Sequence, residues 1–238
     1  MNFITRIKRK TEDQKTEYPF NIPAIQALDA LEIESPVTFF IGENGSGKST
    51  LLEALALACG VNPEGGSENF NFSTVDSHSE LHRSLILSKT GRRPKTRFFL
   101  RAESFYNVVS EIDALQAQDA YGGESLHHCS HGESFMTLIE NRFWPNGLYF
   151  LDEPESALSP LKQMQLLVLI HDLVKNGSQF FIATHSPILL AFPNARIYDF
   201  DHQLLPVNYR DTEVYKLYTL FLAEPDRMLD KLFETDVD

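Results

Sequence analysis

The stretch that decides the fold is VTFFIGENGSGKSTLLEALALAC, residues 37–59, where an apolar run meets a glycine-rich turn and then a helical pattern. Val37 to Ile41 has the composition of a buried strand. From Ser49 to Cys59, leucine and alanine recur at helical spacing, and Gly60 can cap the end of this helix. The chain is therefore predicted to run strand, loop, helix here.

The glycine-rich turn matches the complete pattern G-x-x-x-x-G-K-[ST] between the predicted strand and helix. Backbone N–H groups of such a turn surround phosphate oxygens, and the helix start adds the positive end of a dipole. Lys48 is expected to contact the outer phosphates and Ser49 to ligate Mg²⁺. The structural alternative, a glycine-rich turn with a chance lysine, is disfavoured by the context. We therefore predict ATP and Mg²⁺ as cofactors, with these nucleotide-binding residues: Gly42, Glu43, Asn44, Gly45, Ser46, Gly47, Lys48, Ser49 and Thr50.

Further strand-like and helix-like runs alternate along the chain, which is typical of a sheet with helices packed on its faces. A second unit runs from a strand at Gly147–Leu151 to a helix that Ser159 and Pro160 can start, and Gly177 lies beyond its end. Gln179 to Ala183 is predicted as a third buried strand. The predicted fold class is α/β, a P-loop nucleotide-hydrolase fold with a mainly parallel core sheet flanked by helices.

The 238 residues are predicted to form a single domain, 1–238, with an insertion or helical subdomain at about 61–145. Residues 62–74 are rich in glycine, serine, asparagine and glutamate and are predicted as a loop. A hairpin is predicted over Leu81–Arg101, followed by an amphipathic helix at Ser104–Gln118. Two short amphipathic helices are expected to pack back on the core from the tail: Asp211–Leu222 and Pro225–Phe233.

The composition is that of an ordinary globular protein, with 42% hydrophobic and 23% charged residues and a formal net charge of −12. Such a charge opposes nonspecific binding of the whole molecule to nucleic acid or to an anionic membrane. Cys59 and Cys129 are the only cysteines, too few for a disulfide framework. The longest apolar runs are far shorter than the roughly 20 residues that span a bilayer. We therefore expect a cytoplasmic protein without direct membrane insertion.

Two carboxylates, Asp152 and Glu153, follow directly on a predicted buried strand. Ligands bind at the carboxyl ends of strands in open α/β sheets. In a phosphate-loop enzyme the first acid holds Mg²⁺, and the second orients or deprotonates the attacking water. An ordinary acidic turn before Pro154 is the alternative, and the presence of the phosphate loop favours the functional interpretation.

Four motifs follow one another over about 145 residues: Gly42–Ser49, then Ser130-His131-Gly132-Glu133, then Asp152-Glu153-Pro154-Glu155-Ser156-Ala157-Leu158, then Thr184-His185. In this order they resemble the ATP-binding cassette (ABC) ATPase family. Within it the chain is most similar to small stand-alone predicted ATPases, and the run DEPE is similar to the soluble SMC-like and RecF-like branches. The resemblance implies an ABC-type ATP hydrolase that forms a nucleotide-sandwich homodimer.

The resemblance also implies roles for single residues. Ser130 and Gly132, in the signature loop, would contact the γ-phosphate held by the other protomer, and Glu133 is grouped with them as nucleotide-binding. Residues 156–159 match the loop that crosses the dimer interface. Glu103 falls where the family usually places a glutamine that senses Mg²⁺ and the attacking water. The implied catalytic residues are Glu153, His185 and Lys48, and the implied metal residues are Ser49, Asp152 and Glu103.

Some positions depart from the family pattern. Cys129 and His131 stand where leucine and glycine are usual in the signature loop, and Glu103 puts a carboxylate in place of an amide. Either Tyr18 or Phe20 could stack on adenine, and the sequence does not choose between them. Crowded ligands without a distant second pair argue against a zinc site at His127, His128, Cys129 and His131.

Positive charge is concentrated in Lys89 to Arg101, a segment without any acid in a chain that is acidic overall. This segment could bind a nucleic acid or an acidic partner, and its strand leads to Glu103. A solvated hairpin face is the alternative. The basic residues are Lys89, Arg92, Arg93, Lys95, Arg97 and Arg101.

These features predict an ATP hydrolase that works as a homodimer, closing on two MgATP molecules and reopening after hydrolysis. The run DEPE and the basic segment favour a soluble switch in a nucleic-acid-linked process such as repair or defence. The alternative is the nucleotide-binding ATPase subunit of a membrane transporter. A module that holds ATP without turnover is disfavoured, because Lys48, Asp152, Glu153 and His185 are all present.

Overall fold

The computed structural model of the chain describes residues 2–10, 16–62, 66–67, 80–103, 105 and 131–234. The strands are β1 (Ile4–Arg9), β2 (Ala30–Glu32), β3 (Val37–Ile41), β4 (Gly66–Ser67), β5 (Leu85–Lys89), β6 (Thr96–Arg101), β7 (Gly147–Asp152), β8 (Gln179–Ala183), β9 (Arg196–Asp199) and β10 (Leu205–Val207). The helices are α1 (Pro23–Ala27), α2 (Lys48–Ala58), α3 (Leu81–Ser84), α4 (His131–Arg142), α5 (Pro160–Lys175), α6 (Pro187–Leu190), α7 (Glu213–Ala223) and α8 (Pro225–Glu234).

Two sequence predictions, the loop at 62–74 and the helix at 104–118, lie almost wholly outside the described residues. None of the described helices combines the length and the apolar character that crossing a bilayer requires.

The large sheet has the strand order β10-β9-β3-β8-β7-β6-β4. Its strands β9, β3, β8, β7 and β6 run parallel, and the edge strands β10 and β4 pair antiparallel. The three strands predicted from the sequence are confirmed as β3, β7 and β8, and β7 extends one residue further, to Asp152. A mainly parallel α/β fold is therefore confirmed.

Each face of the large sheet has its own hydrophobic core, because adjacent residues of a strand point to opposite faces. Phe39 and Phe180 lie in one cluster, and their neighbours Phe40 and Phe181 lie in the other. Buried residues of α4 and α5 close the first cluster, and those of α2 close the second. Cover on both faces explains why the central strands are continuous apolar runs rather than alternating ones.

The two strands of the predicted hairpin, β5 and β6, do not pair with each other. β5 pairs antiparallel with β1 in a separate sheet of order β2-β1-β5. β6 pairs parallel with β7, and its successive residues Phe98, Phe99 and Leu100 are all buried. Such a strand needs cover on both faces, which a hairpin at the surface does not offer. The hairpin prediction is therefore wrong.

The tail forms the two predicted helices, α7 and α8, but they leave the core after the first turn of α7. Val214 in that turn packs partly against the core, and Tyr209 donates its hydroxyl to the Pro187 carbonyl at 3.0 Å. The expected packing of the tail on the core is therefore wrong beyond this turn, since large apolar side chains of both helices are exposed: Leu217, Tyr218, Leu220, Phe221, Leu222, Leu232 and Phe233.

One buried amide joins the small sheet to the large one. Gln179, the first residue of β8, accepts hydrogen bonds from the backbone N–H groups of Phe3 and Ile4, both at 2.9 Å. Its amide donates in return to the Ile4 carbonyl at 2.9 Å. Three backbone groups at the start of β1 therefore depend on this one side chain.

Replacing Gln179 by leucine, which has a similar size, should leave those three buried backbone groups without partners. We expect Gln179→Leu to lower the free energy of unfolding by about 2–4 kcal/mol, measured by urea denaturation. The control is Gln165→Leu at an exposed position of α5, which should change this free energy by less than about 0.5 kcal/mol. Equal losses in the two variants would contradict the joining role of Gln179.

Candidate nucleotide-binding site

The predicted site residues meet at the carboxyl edge of the large sheet. The phosphate loop Gly42–Ser49 follows β3, Asp152 ends β7, His185 comes two residues after β8, and Glu103 comes two residues after β6. Because these four strands run parallel, their carboxyl ends lie side by side. Groups that are distant in the chain are thereby brought to one place.

The phosphate loop requires glycine at two positions for steric reasons. Gly42 and Gly47 have φ angles of 140° and 103°, which side chains rarely allow. A Cβ atom on Gly47 would lie 2.9 Å from Ile22 Cγ2, and one on Gly42 would lie 3.0 Å from Phe200 Cβ. The loop thus turns tightly against its surroundings and leads directly into α2.

Lys48 is held at this loop by backbone oxygens. Its Nζ donates hydrogen bonds to the carbonyls of Gly42 and Glu43, both at 2.8 Å, and the residue is buried. Burial lowers the pKa of Lys48, and nearby carboxylates, Glu153 foremost, oppose this shift. The ammonium group is positioned over the loop and can exchange its carbonyl partners for phosphate oxygens.

Asp152 and Ser49 form the second contact at the loop. Ser49 Oγ donates to Asp152 Oδ1 at 2.9 Å, and Arg101 Nε lies 3.2 Å from Asp152 Oδ2. Burial raises the pKa of Asp152 to about 6, against the opposing effects of Arg101 and Ser49. A serine hydroxyl beside a carboxylate is a set of hard oxygen donors, which fits the coordination preference of Mg²⁺.

Glu153 and His185 face each other at the ends of neighbouring strands. Glu153 has a φ of 48°, in the left-handed region, and its N–H donates to the Ala183 carbonyl at 2.9 Å. His185 Nε2 lies 3.8 Å from Glu153 Oε1 and finds no hydrogen-bond partner among the described residues. A strained backbone that aims a carboxylate at an imidazole is typical of a functional site.

The turn after the acidic pair, Pro154–Ala157, contacts the backbone of His185. Glu155 Oε1 accepts a hydrogen bond from the backbone N–H of His185 at 2.5 Å. Burial raises the pKa of Glu155, and that hydrogen bond opposes the shift. The loop 156–159 leads into α5, where Ser159 Oγ caps the helix by accepting from the Lys162 N–H at 3.4 Å.

The predicted signature loop is described only in part. Ser130 lies outside the described residues, whereas Gly132 and Glu133 lie in the first turn of α4. A Cβ atom on Gly132 would lie 2.9 Å from the carbonyl oxygen of Ala157. Glycine is thus required here because α4 approaches the backbone of the loop after the acidic pair. The cluster that was weighed as a zinc site, 127–131, also lies outside the described side chains.

The two aromatic candidates for stacking differ sharply in exposure. Phe20 is 2% exposed and belongs to the core under α2, so its ring is not available to a ligand. Tyr18 is 66% exposed, and its hydroxyl lies 3.2 Å from Thr50 Oγ1. Tyr18 also lines a cleft of about 410 Å³ together with Lys48 and other residues of the phosphate loop.

The basic segment does not form one continuous charged surface. Arg92 donates to Asn146 Oδ1 at 2.8 Å, and Arg97 donates to the Cys59 carbonyl at 3.1 Å. Arg101 pairs with Asp152, and Lys89 Nζ donates to the Ala58 carbonyl at 3.5 Å, so four of the six basic residues have partners within the fold. The exposed cations are Lys89, Arg93 and Lys95.

Three residues contact the site in ways that the sequence analysis did not predict: Arg101, Glu155 and Asp201. Asp201 Oδ2 accepts a hydrogen bond from the Glu43 N–H at 2.7 Å and so anchors the start of the phosphate loop. Its position just after β9 is the same signal that identified Asp152. Arg101 also ends a parallel strand, but in the sequence it was assigned only to the basic segment.

Asp152→Asn should stabilise the nucleotide-free fold at neutral pH. Burial raises the pKa of the Asp152 carboxyl to about 6 in the fold, against an ordinary value of 3.8, so the folded state binds more protons between these values. Stability of the wild type therefore falls as pH rises through this window. We expect the variant to be more stable by about 1–3 kcal/mol above pH 6.

The measurement is urea denaturation in EDTA between pH 4 and pH 8. The difference between the variant and the wild type should grow up to about pH 6 and then level off. Asp172→Asn, at an exposed acid of α5, is the control and should show no such growth. A stabilisation that is independent of pH would contradict the raised pKa of Asp152.

Two family models match the chain. Residues 20–124 match one described as "AAA domain". Residues 129–191 match a second, described as "AAA domain, putative AbiEii toxin, Type IV TA system". The first contains the phosphate loop and Glu103, and the second contains the acidic pair and His185.

Curated proteins with similar sequences carry ABC names. The chain is 28% identical over 171 residues to ABC transporter G family member 22 of Arabidopsis thaliana, which covers 63% of this chain and 23% of that protein. It is 29% identical over 189 residues to the hemin import ATP-binding protein HmuV of Pseudomonas aeruginosa, which covers 69% of this chain and 73% of that protein. The chain thus spans less than a quarter of the first relative and most of the second.

The fold is similar to that of CbiO1 from Clostridium perfringens, part of the ABC transporter complex cbiONQ. The TM-score is 0.53 at 18% sequence identity, and the match covers 98% of this chain and 100% of that chain. At this identity the likeness shows the fold alone. Taken with the phosphate loop, the acidic pair and the order of the motifs, the family-model matches and the sequence similarities support an ABC-type P-loop ATPase.

Proposed function

We propose that this ATPase works as a homodimer that closes on two ATP molecules and reopens after hydrolysis, as a conformational switch. The observation that carries the proposal is the grouping of Lys48, the Ser49–Asp152 pair and the Glu153–His185 pair at one edge of the sheet. In this proposal the chain is one domain with an insertion at about 61–145.

Each of these residues has a role in the proposed hydrolysis. Lys48 exchanges its two carbonyl partners for oxygens of the outer phosphates. Ser49 and Asp152 hold Mg²⁺, which neutralises charge on the phosphates when it is bound. Glu153 accepts a proton from the attacking water, and His185 donates a hydrogen bond to the terminal phosphate.

Tyr18 is the residue that we assign to adenine stacking. It is exposed at the mouth of the cleft beside Thr50, while Phe20 is enclosed in the core. An aromatic ring at this place offers a flat apolar surface to the base, and its hydroxyl keeps contact with the start of α2.

A second copy completes each site in this proposal. Gly132 and Glu133 lie in the first turn of α4, where the positive end of the helix dipole favours an anion. Together with Ser130 they would bind the terminal phosphate held by the partner. The loop 156–159, which packs against Gly132, lies beside them and would cross the interface.

Glu153→Gln should trap the closed dimer, because the amide cannot accept the proton from water but has almost the same shape. We expect turnover to fall by about 100-fold or more, with nucleotide binding retained. Light scattering coupled to gel filtration in MgATP should show a dimer for this variant. The control is Glu153→Gln combined with Lys48→Ala, which should remain monomeric. A single variant that stays monomeric well above its nucleotide affinity would contradict the proposal.

The process that the switch drives is proposed to involve nucleic acid. Lys89, Arg93 and Lys95 are exposed and form a positive cluster along the sequence of a chain that is acidic overall, and phosphodiester backbones bind groups of exposed cations. Strand β6 begins just after this cluster and ends at Arg101, beside Asp152. The description of the second family model names a toxin–antitoxin system, which supports defence among the nucleic-acid-linked roles.

Reversing these three charges should remove any stimulation of ATP hydrolysis by DNA or RNA. We expect the triple variant Lys89→Glu, Arg93→Glu, Lys95→Glu to lose stimulation and keep its unstimulated rate, because these three residues are not among those that line the cleft. Arg210→Glu, at an exposed cation elsewhere, is the control. Wild-type protein that shows no stimulation by either polymer, or a triple variant that keeps it, would contradict this role.

A second candidate function is that of an ATPase subunit that drives a membrane transporter. The names of the similar proteins favour it, since both the Arabidopsis thaliana and the Pseudomonas aeruginosa relatives are named for transport or import. The exposed apolar residues of α7 and α8 would suit a protein partner. Affinity purification of the Glu153→Gln form in MgATP separates the two: a membrane-protein partner supports transport, and a bound nucleic acid supports the first proposal.

A further inference from the structure

A guanidinium lies between two carboxylates beside the phosphate loop. Arg101, the last residue of β6, places its Nε 3.2 Å from Asp152 Oδ2 and 3.5 Å from Glu103 Oε2. The other oxygen of Asp152 accepts the hydrogen bond from Ser49. Arg101 therefore contacts Oδ2 of Asp152, the oxygen that does not accept the hydrogen bond from Ser49.

The two carboxylates differ in their access to water. Asp152 is 2% exposed, whereas the Glu103 side chain is 78% exposed and lines the cleft beside Lys48. A buried carboxylate needs a compensating cation, and arginine cannot give up its proton. Glu103 needs no cation for its own solvation, so stability alone does not explain why it lies so close to Arg101.

A backbone hydrogen bond holds the end of β6 beside the end of β7. The Ala102 N–H donates to the Asp152 carbonyl at 3.2 Å, which joins the end of β6 to the end of β7. The Arg101 side chain is one-third exposed and already contacts both carboxylates. Because both carboxylates already lie within 3.5 Å of Nε, a change of partner requires no long movement of the guanidinium.

We propose that Arg101 is a positioning residue that exchanges its main partner: in the nucleotide-free chain it contacts both carboxylates and lies nearer to Asp152, and when MgATP is bound it pairs with Glu103 alone. This inference rests on the proposed role of Ser49 and Asp152 in holding Mg²⁺. In this proposal Glu103 accepts the ion pair from Arg101 and is not a metal ligand. Asp152 thus loses its contact with Arg101 only when Mg²⁺ binds.

The exchange follows from competition for Asp152. A guanidinium and a divalent cation repel each other at a separation of a few ångströms, more strongly where little water screens them. Arg101 must therefore leave Asp152 or weaken the metal. Glu103 offers it a second carboxylate at the same place, so the positive charge need not enter solvent alone.

The test measures how nucleotide binding depends on Mg²⁺. A fluorescent ATP analogue is titrated with the full chain in EDTA, and then Mg²⁺ is titrated at fixed nucleotide. The proteins are the wild type, Arg101→Gln, Glu103→Gln and the double variant. Thermal unfolding checks that each is folded, and Arg101→Lys replaces Arg101→Gln if loss of the charge unfolds the chain. Arg227→Gln and Glu224→Gln, which remove an exposed ion pair of 2.8 Å, are the matched controls.

Each variant has a distinct expected result. Glu103→Gln should keep metal-free binding within about twofold and raise the Mg²⁺ midpoint about tenfold, because Arg101 then stays on Asp152. Arg101→Gln should weaken metal-free binding about tenfold and lower the midpoint, because two uncompensated carboxylates face the phosphates. The double variant should return both values to within about threefold of the wild type. The control variants should change neither value.

Arg101→Lys keeps the positive charge on a shorter side chain, which reaches less far toward Glu103. It should preserve metal-free binding within about threefold and raise the Mg²⁺ midpoint, as Glu103→Gln does.

Additive effects in the double variant would overturn the exchange, because residues that act on each other do not add. A double variant as defective toward Mg²⁺ as Glu103→Gln would also overturn it, since that is the behaviour of a lost metal ligand. The titration measures the binding of nucleotide and Mg²⁺ to a single protomer and does not depend on dimerisation. A wild type that never dimerises in MgATP would therefore contradict the proposed homodimer and leave this test intact.

Discussion

The site depends on the parallel alignment of β3, β8, β7 and β6. Because all four strands are apolar and covered on both faces, polar groups are confined to their ends. Parallel strands end at one edge, so the phosphate loop, the acidic pair and His185 become neighbours without any long connecting loop. A single antiparallel strand among these four would send one of those groups to the opposite edge.

Charged side chains at this edge of the sheet are buried, which disfavours their ionised forms. Burial raises the pKa of Asp152 to about 6 and lowers the pKa of Lys48, so each ionised form is held in a place that disfavours it. Buried charges with this desolvation cost are common in active sites, where ligands of opposite charge can bind. Arg101 and the carbonyls of the phosphate loop reduce the cost in the nucleotide-free chain.

Local patterns were enough to predict the core of this protein from its sequence. Glycine spacing and helical periodicity act over a few residues, so the strand–loop–helix at 37–59 and the strand before Asp152 follow from the order of residues alone. The roles that we propose for Lys48 and Ser49 come with that loop, and the order of the motifs indicates the ABC family. Burial on both faces also predicts parallel strands, since continuous apolar runs require cover on each side.

The tertiary structure alone decided which strands pair and which side chains reach the site. The sequence placed β5 and β6 in one hairpin, but pairing is a contact between distant segments, and buried Phe98 and Phe99 favoured β7. Packing also decided that Tyr18 and not Phe20 faces the cleft. Arg101 belongs to the site rather than to a basic surface because it ends a strand beside Asp152. The charge of a residue does not indicate where in the fold its strand ends.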